Sequence, residues 1–270
     1  MKKVTLSLAF LIAISCFVCG AANAAVIYNS MPDPYPHNVP SLGYQATSTQ
    51  EFGDAIRFAG TERNLTSVTV ALSDWAKFED WGALYPAGYS HDFTLNLYNI
   101  NTTPGSVTPG SLIASLTTNA TVPLRPVGWD MNGILFNITF DASSLSVVLP
   151  DQIVYGLAYN TQNRGYDPIG VSGPYNSLNF GLNTSSPTVG TDLNTNSIYW
   201  NTSHAPFYSD GGVAGVSLFR EDSEWAPYTP AIMFNADAPP AATPEPGTMI
   251  LMGVGALGVA FMRRRSQKKS

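Results

Sequence analysis

Hydrophobic and polar residues alternate with a period of two through the middle of the chain, and this pattern constrains the fold most strongly. The alternation is clearest at residues 67–72, 93–98 and 134–140. Successive side chains of a β-strand point to opposite faces of its sheet, so each segment predicts a strand. The first two segments predict one buried face and one wet face. The third segment, with Ile134, Phe136, Ile138 and Phe140, is expected to be more buried.

Further short apolar segments extend the pattern, and residues that favour turns separate them. The other candidate strands are residues 112–116, 152–159, 178–182, 197–200, 216–219 and 231–235. The predicted turns are Thr103-Pro104-Gly105, Thr108-Pro109-Gly110, Leu149-Pro150-Asp151, Ser172-Gly173-Pro174 and Asp210-Gly211-Gly212. About nine short strands without intervening helices predict an all-β fold. Its expected form is a two-sheet antiparallel sandwich with jelly-roll topology.

The first 24 residues have the composition of a secretory signal peptide. Lys2 and Lys3 precede an apolar stretch at residues 4–18, and small residues follow up to Ala22 and Ala24. This order predicts cleavage between Ala24 and Ala25. The apolar stretch is shorter than the roughly 20 residues of a spanning helix. Both cysteines lie inside the segment, so the mature chain is expected to contain no disulfide and no cysteine metal site.

The C-terminal end combines a linker, an apolar run and a cationic cluster. A Pro/Ala linker at residues 239–243 precedes a Pro-Glu-Pro triplet, and an apolar run follows at residues 249–262. As a helix this run is about 21 Å long, against a hydrocarbon core of about 30 Å. We therefore expect a short transmembrane helix that anchors the chain transiently. The cations that follow it are expected to stay on the cytoplasmic side.

This tail resembles a PEP-CTERM sorting signal over residues 244–270. The resemblance rests on the triplet, the short helix rich in Gly and Leu, and the arginine cluster, namely Pro244, Glu245, Pro246, Arg263, Arg264 and Arg265. It implies handling by an exosortase, a membrane-embedded transpeptidase-like enzyme of bacteria that secrete exopolysaccharide. The protein is accordingly expected to be exported to the cell envelope or the extracellular space, with contact to the membrane before processing.

Residues 25–238 are expected to form one β-sandwich domain between the two signals. Segments such as Gly53-Asp54-Ala55-Ile56 and Tyr155-Gly156-Leu157-Ala158-Tyr159 resemble β-sandwich domains of bacterial surface proteins, most of which lack an assigned activity. Outside the signals there remain 13 − 7 = 6 basic and 19 − 1 = 18 acidic residues, a net charge of about −12. This charge argues against a nucleic-acid partner and is compatible with neutral polysaccharide or divalent cations.

A long connection between two predicted strands combines aromatic rings with carboxylates. Its candidate ligand-binding residues are Trp75, Trp81, Tyr85 and Tyr89, beside Asp74, Glu79, Asp80, His91 and Asp92. A flat ring can stack on a pyranose face while charged acceptors take the sugar hydroxyls. The connection therefore predicts a polysaccharide site. The alternative is that Trp75 and Trp81 cap the sandwich core.

A second acidic segment near the C-terminal end is a candidate Ca²⁺ site. Glu221, Asp222 and Glu224 offer the oxygen ligands that Ca²⁺ requires. They lack the regular D-x-D-x-D-G spacing, so the alternative is a solvated turn. No other cofactor is expected.

Catalytic motifs are absent from the sequence. The three histidines are scattered, G-x-S-x-G is missing, and no pair of carboxylates stands out as a hydrolytic pair. We therefore expect a non-enzymatic surface or matrix protein that is associated with exopolysaccharide. A polysaccharide-acting glycoside hydrolase and a protein-binding adhesin with an exposed apolar patch are the alternatives.

Overall fold

The structure is a computed structural model that describes residues 24–44, 49, 51–103, 106–159, 173–201 and 220–238. The apolar part of the predicted signal peptide, the predicted strand at 216–219, the predicted turn at 210–212 and the C-terminal segment lie outside the described residues. Apart from Ala238, the described residues belong to the first of two compact units, Met1–Asp237. Within this part of the chain, no helix is both long and apolar enough to cross a membrane.

The described residues form two antiparallel sheets and one helical turn, α1 (Phe78–Trp81). The strands are β1 (Ala25–Asn29), β2 (Ser41–Gly43), β3 (Glu51–Arg57), β4 (Asn64–Asp74), β5 (Tyr89–Thr103), β6 (Ser106–Val122), β7 (Ile134–Asp141), β8 (Gln152–Ala158), β9 (Leu178–Asn183), β10 (Thr191–Asp192), β11 (Ser197–Asn201), β12 (Arg220–Ser223), β13 (Thr229–Pro230) and β14 (Ile232–Asp237). A 3-10 turn at Pro174–Ser177 precedes β9.

Sheet I has the order β1-β14-β4-β9-β13, with β2 paired to β9 and β7 paired to β4. Sheet II has the order β12-β11-β3-β8-β5-β6, with β10 paired to β3. All these pairings are antiparallel. The two sheets confirm the predicted all-β, two-sheet class.

The inner faces of the two sheets enclose the core, as the alternating pattern predicted. Val68, Val70 and Leu72 of β4 are completely buried. Aromatic rings connect the sheets, with the centroids of Phe52 and Phe180 5.9 Å apart. The apolar face of a strand cannot remain in water without a large cost in free energy, so these residues drive the two sheets together.

The structure corrects three expectations. The segment at 134–140 is not more buried than the other two, because Asn137 and Thr139 of β7 are exposed. The second face of β5 is not wet, because Asn96 and Tyr98 are 0% and 3% exposed and contact Glu51 of the same sheet. The turn predicted at Thr108-Pro109-Gly110 is wrong, since these residues continue β6 and Pro109 lies opposite Ile100. Proline is tolerated there because β6 is an outer strand and needs no hydrogen bonds on its far side.

The connection between β4 and β5 is fixed at one end of the sandwich by a neighbouring loop. The backbone N–H of Arg125 donates to the carbonyl of Ala76 at 2.8 Å, and Phe78 donates to the carbonyl of Arg125 at 2.9 Å. These bonds hold the start of α1 against the loop that leads from β6 to β7. The connection is therefore an ordered part of the domain.

Candidate functional site

The aromatic residues of the β4–β5 connection occupy three different environments. Asp74 points into the core, and successive side chains of a strand point to opposite faces. Trp75, which follows Asp74, therefore points outward and is 42% exposed. Trp81 and Tyr85 are half-buried against the core, as the capping alternative predicted for Trp81. Tyr89 is 2% exposed and therefore out of reach of a ligand at the surface. Of the four predicted residues, only Trp75 presents a largely open ring.

Other aromatic side chains lie on the two segments that approach Trp75, the N-terminal segment and the loop before β7. The Trp75 Nε1–H donates to Ser73 Oγ at 3.1 Å, and Ser73 Oγ donates to Asn38 Oδ1 at 2.7 Å. The neighbouring His37 ring lies 5.0 Å from the Trp129 ring, tilted by 38°. We call four side chains the aromatic patch: Tyr35, His37, Trp75 and Trp129.

A glycine under Trp75 allows the patch to form. A Cβ atom at Gly133 would overlap the hydroxyl of Ser73 and lie 2.5 Å from Trp75 Cδ1. The Trp129 Nε1–H donates to the Gly133 carbonyl at 2.9 Å, so both indoles contact this residue. A larger residue at this position would displace the Trp75 ring.

Polar groups accompany the rings of the patch. The Tyr35 ring is 47% exposed, and its hydroxyl donates to Asn137 Oδ1 at 2.7 Å. Asn137 and Thr139 are both exposed on β7. The patch therefore presents flat apolar surfaces next to amide and hydroxyl groups, which is the combination that sugar binding requires.

Sequence reasoning missed Tyr35, His37 and Trp129 because they are far from Trp75 along the chain. The pairing of β4 with β7 places Ile134 opposite Asp74, which carries the preceding loop next to Trp75. The backbone N–H of Leu135 donates to the His37 carbonyl at 3.1 Å, which brings in the N-terminal segment. The only available signal was the presence of aromatic residues in segments without strand alternation.

The carboxyl group next to Trp75 belongs to the interior. Asp74 is completely buried, and burial raises its pKa to about 8. Hydrogen bonding from the Ala76 backbone N–H to Asp74 Oδ1 opposes this rise. His91 is 2% exposed and stacks with Tyr175 at 6.0 Å. These polar groups lie in the interior and do not reach the patch surface.

A second buried carboxyl group lies on the outer face of sheet II. Glu51 Oε1 accepts hydrogen bonds from Asn96 Nδ2 at 2.9 Å and from the Tyr98 hydroxyl at 2.8 Å. Ser115 Oγ donates to Asn96 Oδ1 at 2.7 Å, which extends the network to β6. Burial raises the pKa of Glu51 to about 7, although the two hydrogen bonds lower it. Sequence reasoning gave no indication of this network.

A third carboxyl group lies between the sheets. Asp54 is completely buried, and its pKa is raised well above the ordinary value by burial and by the nearby Asp192. Its Oδ1 accepts from the Ala55 backbone N–H at 2.8 Å. With exposures of 0 to 1%, Glu51, Asp54 and Asp74 are inaccessible to a polymer substrate in this structure.

The raised pKa values of the buried carboxyl groups Glu51, Asp54 and Asp74 predict that the free energy of unfolding falls as pH rises from about 4 to about 8. A carboxyl group whose pKa is higher in the folded state stabilises that state fully below the unfolded pKa, and this contribution is lost as pH rises through the folded pKa. With a folded pKa of about 7, Glu51 alone accounts for a loss of about 2 kcal/mol between pH 5 and pH 7. Denaturant unfolding over this pH range measures the change.

Two glutamine variants separate this contribution from the general effect of charge. Glu51→Gln keeps an oxygen that accepts from Asn96 and Tyr98 but cannot titrate, so it is expected to flatten the pH dependence. Glu79→Gln changes an exposed position of α1. It is expected to show the same pH dependence of stability as the parent protein. A Glu51→Gln profile as steep as the parent profile would contradict the assignment.

The described part of the acidic segment at 221–224 does not form a cluster of metal ligands. Glu221 is exposed on β12 and accepts from Asn194 Nδ2 at 2.8 Å, and Glu224 is exposed just after this strand. Among the described residues, no three His, Cys, Asp or Glu side chains are grouped so that they could hold a metal ion. Ca²⁺ binding by Glu221, Asp222 and Glu224 stays a prediction without support from this geometry.

A surface cleft of about 490 Å³ lies away from the predicted sites. Arg57, Arg63 and Asp151 are among its lining residues. Arg63 forms an ion pair with Asp151 at 2.8 Å and also donates to three backbone carbonyls. The Arg63 guanidinium is thus already paired by groups of the protein within the cleft.

Comparison with known proteins identifies the C-terminal segment. Residues 242–265 match the family model described as the PEP-CTERM protein-sorting motif. No curated protein and no solved structure matches the chain. The motif marks the chain as an exported protein of the cell envelope that is sorted by an exosortase, as the resemblance of the tail implied.

Proposed function

We propose that this chain is a non-enzymatic surface or matrix protein that binds extracellular polysaccharide through the aromatic patch. The sorting motif supports the proposal because it directs the protein to the compartment that contains such polymers. The net charge of about −12 outside the two signals favours a neutral glycan over an anionic one.

The observation that carries the proposal is the exposure of several rings on one outer sheet face. Trp75 and Tyr35 are 42% and 47% exposed, although aromatic rings of this size are usually buried at least in large part. The tilted pair of His37 and Trp129 extends the surface. A polysaccharide chain with several sugar rings can contact such a surface at more than one point.

Replacing Trp75 is expected to weaken glycan binding about tenfold. A stacked aromatic ring contributes about 0.5–1.5 kcal/mol, and Trp75→Ala removes the more exposed of the two indoles of the patch. The exported protein is first screened on a broad glycan array. The affinity for the best glycan is then measured by calorimetry for the parent and the variant.

Two further variants test whether the effect belongs to the patch. Gly133→Ala leaves all four rings in the sequence but displaces Trp75, so it is expected to weaken binding as well. Tyr228→Ala removes a ring that is 38% exposed but lies outside the patch, and parent affinity is expected. If the parent protein binds no glycan on the array and its deletion leaves the extracellular matrix unchanged, the proposal fails.

The hydrolase alternative makes a separate prediction about the same glycan. A glycoside hydrolase needs two carboxyl groups on either side of the scissile bond and would release reducing sugar from the bound polymer. We expect no release above the level of heat-inactivated protein.

A further inference from the structure

Asp74 places a buried carboxyl group one residue before the most exposed indole of the aromatic patch. Its side chain is completely buried, whereas Trp75 points to the other side of the chain. Asp74 Oδ1 accepts a hydrogen bond from the Ala76 backbone N–H at 3.3 Å, so the carboxyl group closes a turn around Trp75. The orientation of Trp75 therefore depends on the position of this carboxyl group.

The described surroundings of Asp74 offer no lysine or arginine to an ionised carboxylate. In sheet I, Asp74 lies opposite Ile134 of β7 and opposite Leu178 of β9. Its Oδ2 atom is buried and has no hydrogen-bond partner among the described residues. Arg125 of the adjacent loop instead donates its side-chain N–H groups to two backbone carbonyls of that loop. A charge on Asp74 would thus be buried without compensation, which is unfavourable.

The other titratable groups on this side of the core belong to a cluster of buried rings. Burial and the nearby Asp74 raise the pKa of the Tyr89 hydroxyl. The Tyr89 ring lies 5.9 Å from the Tyr175 ring of the 3-10 turn and 6.2 Å from the His91 ring. Tyrosine hydroxyls are uncharged at neutral pH, so they do not neutralise a carboxylate. The charged side chains of the segment that follows are exposed, namely Lys77, Glu79 and Asp80.

We propose that the uncharged carboxyl group of Asp74 positions Trp75, and that ionisation of Asp74 releases the Trp75 ring from the aromatic patch. An ionised carboxylate requires water at its buried Oδ2 atom, and the segment around Trp75 must move to admit it. The Trp75 backbone N–H donates to the Ser177 carbonyl at 3.1 Å, so this movement also carries the indole. The ring then loses its contacts with Ser73 and Gly133.

The release is expected in the mildly alkaline range, because burial raises the pKa of Asp74 to about 8. The carboxyl group is uncharged well below this pH and ionised well above it. The consequence for glycan binding rests on the proposed function of the patch. Glycan affinity is expected to fall about fivefold between about pH 7 and about pH 9.5, which is less than the loss expected when the ring is removed.

Fluorine NMR of protein labelled with fluorotryptophan tests the release without any glycan. The Trp75 signal is identified by its loss in Trp75→Phe. Between about pH 7 and about pH 9.5, above the ordinary pKa of histidine, it is expected to narrow and to move toward the position of free fluorotryptophan. The midpoint is expected near pH 8.

Two variants assign this transition to one carboxyl group. Asp74→Asn keeps an oxygen that accepts from the Ala76 N–H but cannot ionise, so it is expected to abolish the transition. Glu51→Gln removes a buried carboxyl group of sheet II and is expected to retain it. Circular dichroism verifies that each variant is folded. A Trp75 signal without a transition in the parent protein, or with the same transition in Asp74→Asn, overturns the inference.

Calorimetry of the same proteins at both pH values measures the consequence for binding. The parent protein and Glu51→Gln are expected to lose affinity about fivefold at the higher pH, and Asp74→Asn is expected to keep its affinity. Equal losses in all three proteins contradict the role of Asp74. A Trp75 transition that Asp74→Asn abolishes, in a protein that binds no glycan, supports the positioning role and contradicts only the proposed function.

Discussion

In an exosortase-deficient strain of the native host, the chain is expected to remain uncleaved at its C-terminus and to stay in the membrane fraction. In the competent strain it is expected to lose the segment after about Pro246. The apolar run at 249–262 is too short for a permanent anchor but adequate for a transient one. Fractionation followed by mass measurement of the intact protein distinguishes the two forms. The effect is expected to be nearly complete, because the anchor is either present or removed.

Two alanine variants test whether the motif itself directs this step. Pro244→Ala/Glu245→Ala/Pro246→Ala changes the triplet inside the matched residues 242–265 and is expected to block processing in the competent strain. Pro239→Ala/Pro240→Ala removes two prolines from the preceding linker and is expected to be processed normally. An uncleaved protein held in the membrane in both strains would show that the tail is a simple anchor.

The substitution Gly53→Ala is expected to destabilise the domain by about 3 kcal/mol or more. Gly53 lies in β3 opposite Gly156 of β8 and opposite Tyr199 of β11. A Cβ atom here would overlap the carbonyl oxygen of Tyr155 and lie 2.9 Å from the Cα of Gly156. These are backbone atoms, so relief would require β3 and β8 to separate. Denaturant unfolding, or the loss of exported protein, measures the effect.

Gly128→Ala is the matched control for this prediction. Gly128 has a φ of 74°, and a Cβ atom there would meet no other atom within 4 Å. The cost is therefore limited to the left-handed backbone conformation, about 1 kcal/mol. If Gly53→Ala is no more destabilising than Gly128→Ala, the close approach of β3 to β8 is not a constraint on the fold.

The alternating pattern was sufficient to predict several of the longer strands. The residues at 67–72, 93–98 and 134–140 lie in β4, β5 and β7, because burying one face of a strand requires apolar residues at every second position. β3 was not identified as a strand, since Asp54 interrupts its inward face between Phe52 and Ile56 and Glu51 lies on its outer face. Both carboxyl groups are buried in the structure, and burial raises their pKa values.

The sequence by itself determined the destination of the protein and its two-sheet class. A sorting motif is read along a contiguous segment, and strand alternation is a local pattern, so neither requires knowledge of distant contacts. Only the tertiary structure decided which aromatic residues are exposed together. The aromatic patch exists because β4 pairs with β7 and because Leu135 binds the His37 carbonyl. Such contacts depend on the packing of segments that are distant in the sequence, which a local pattern does not specify.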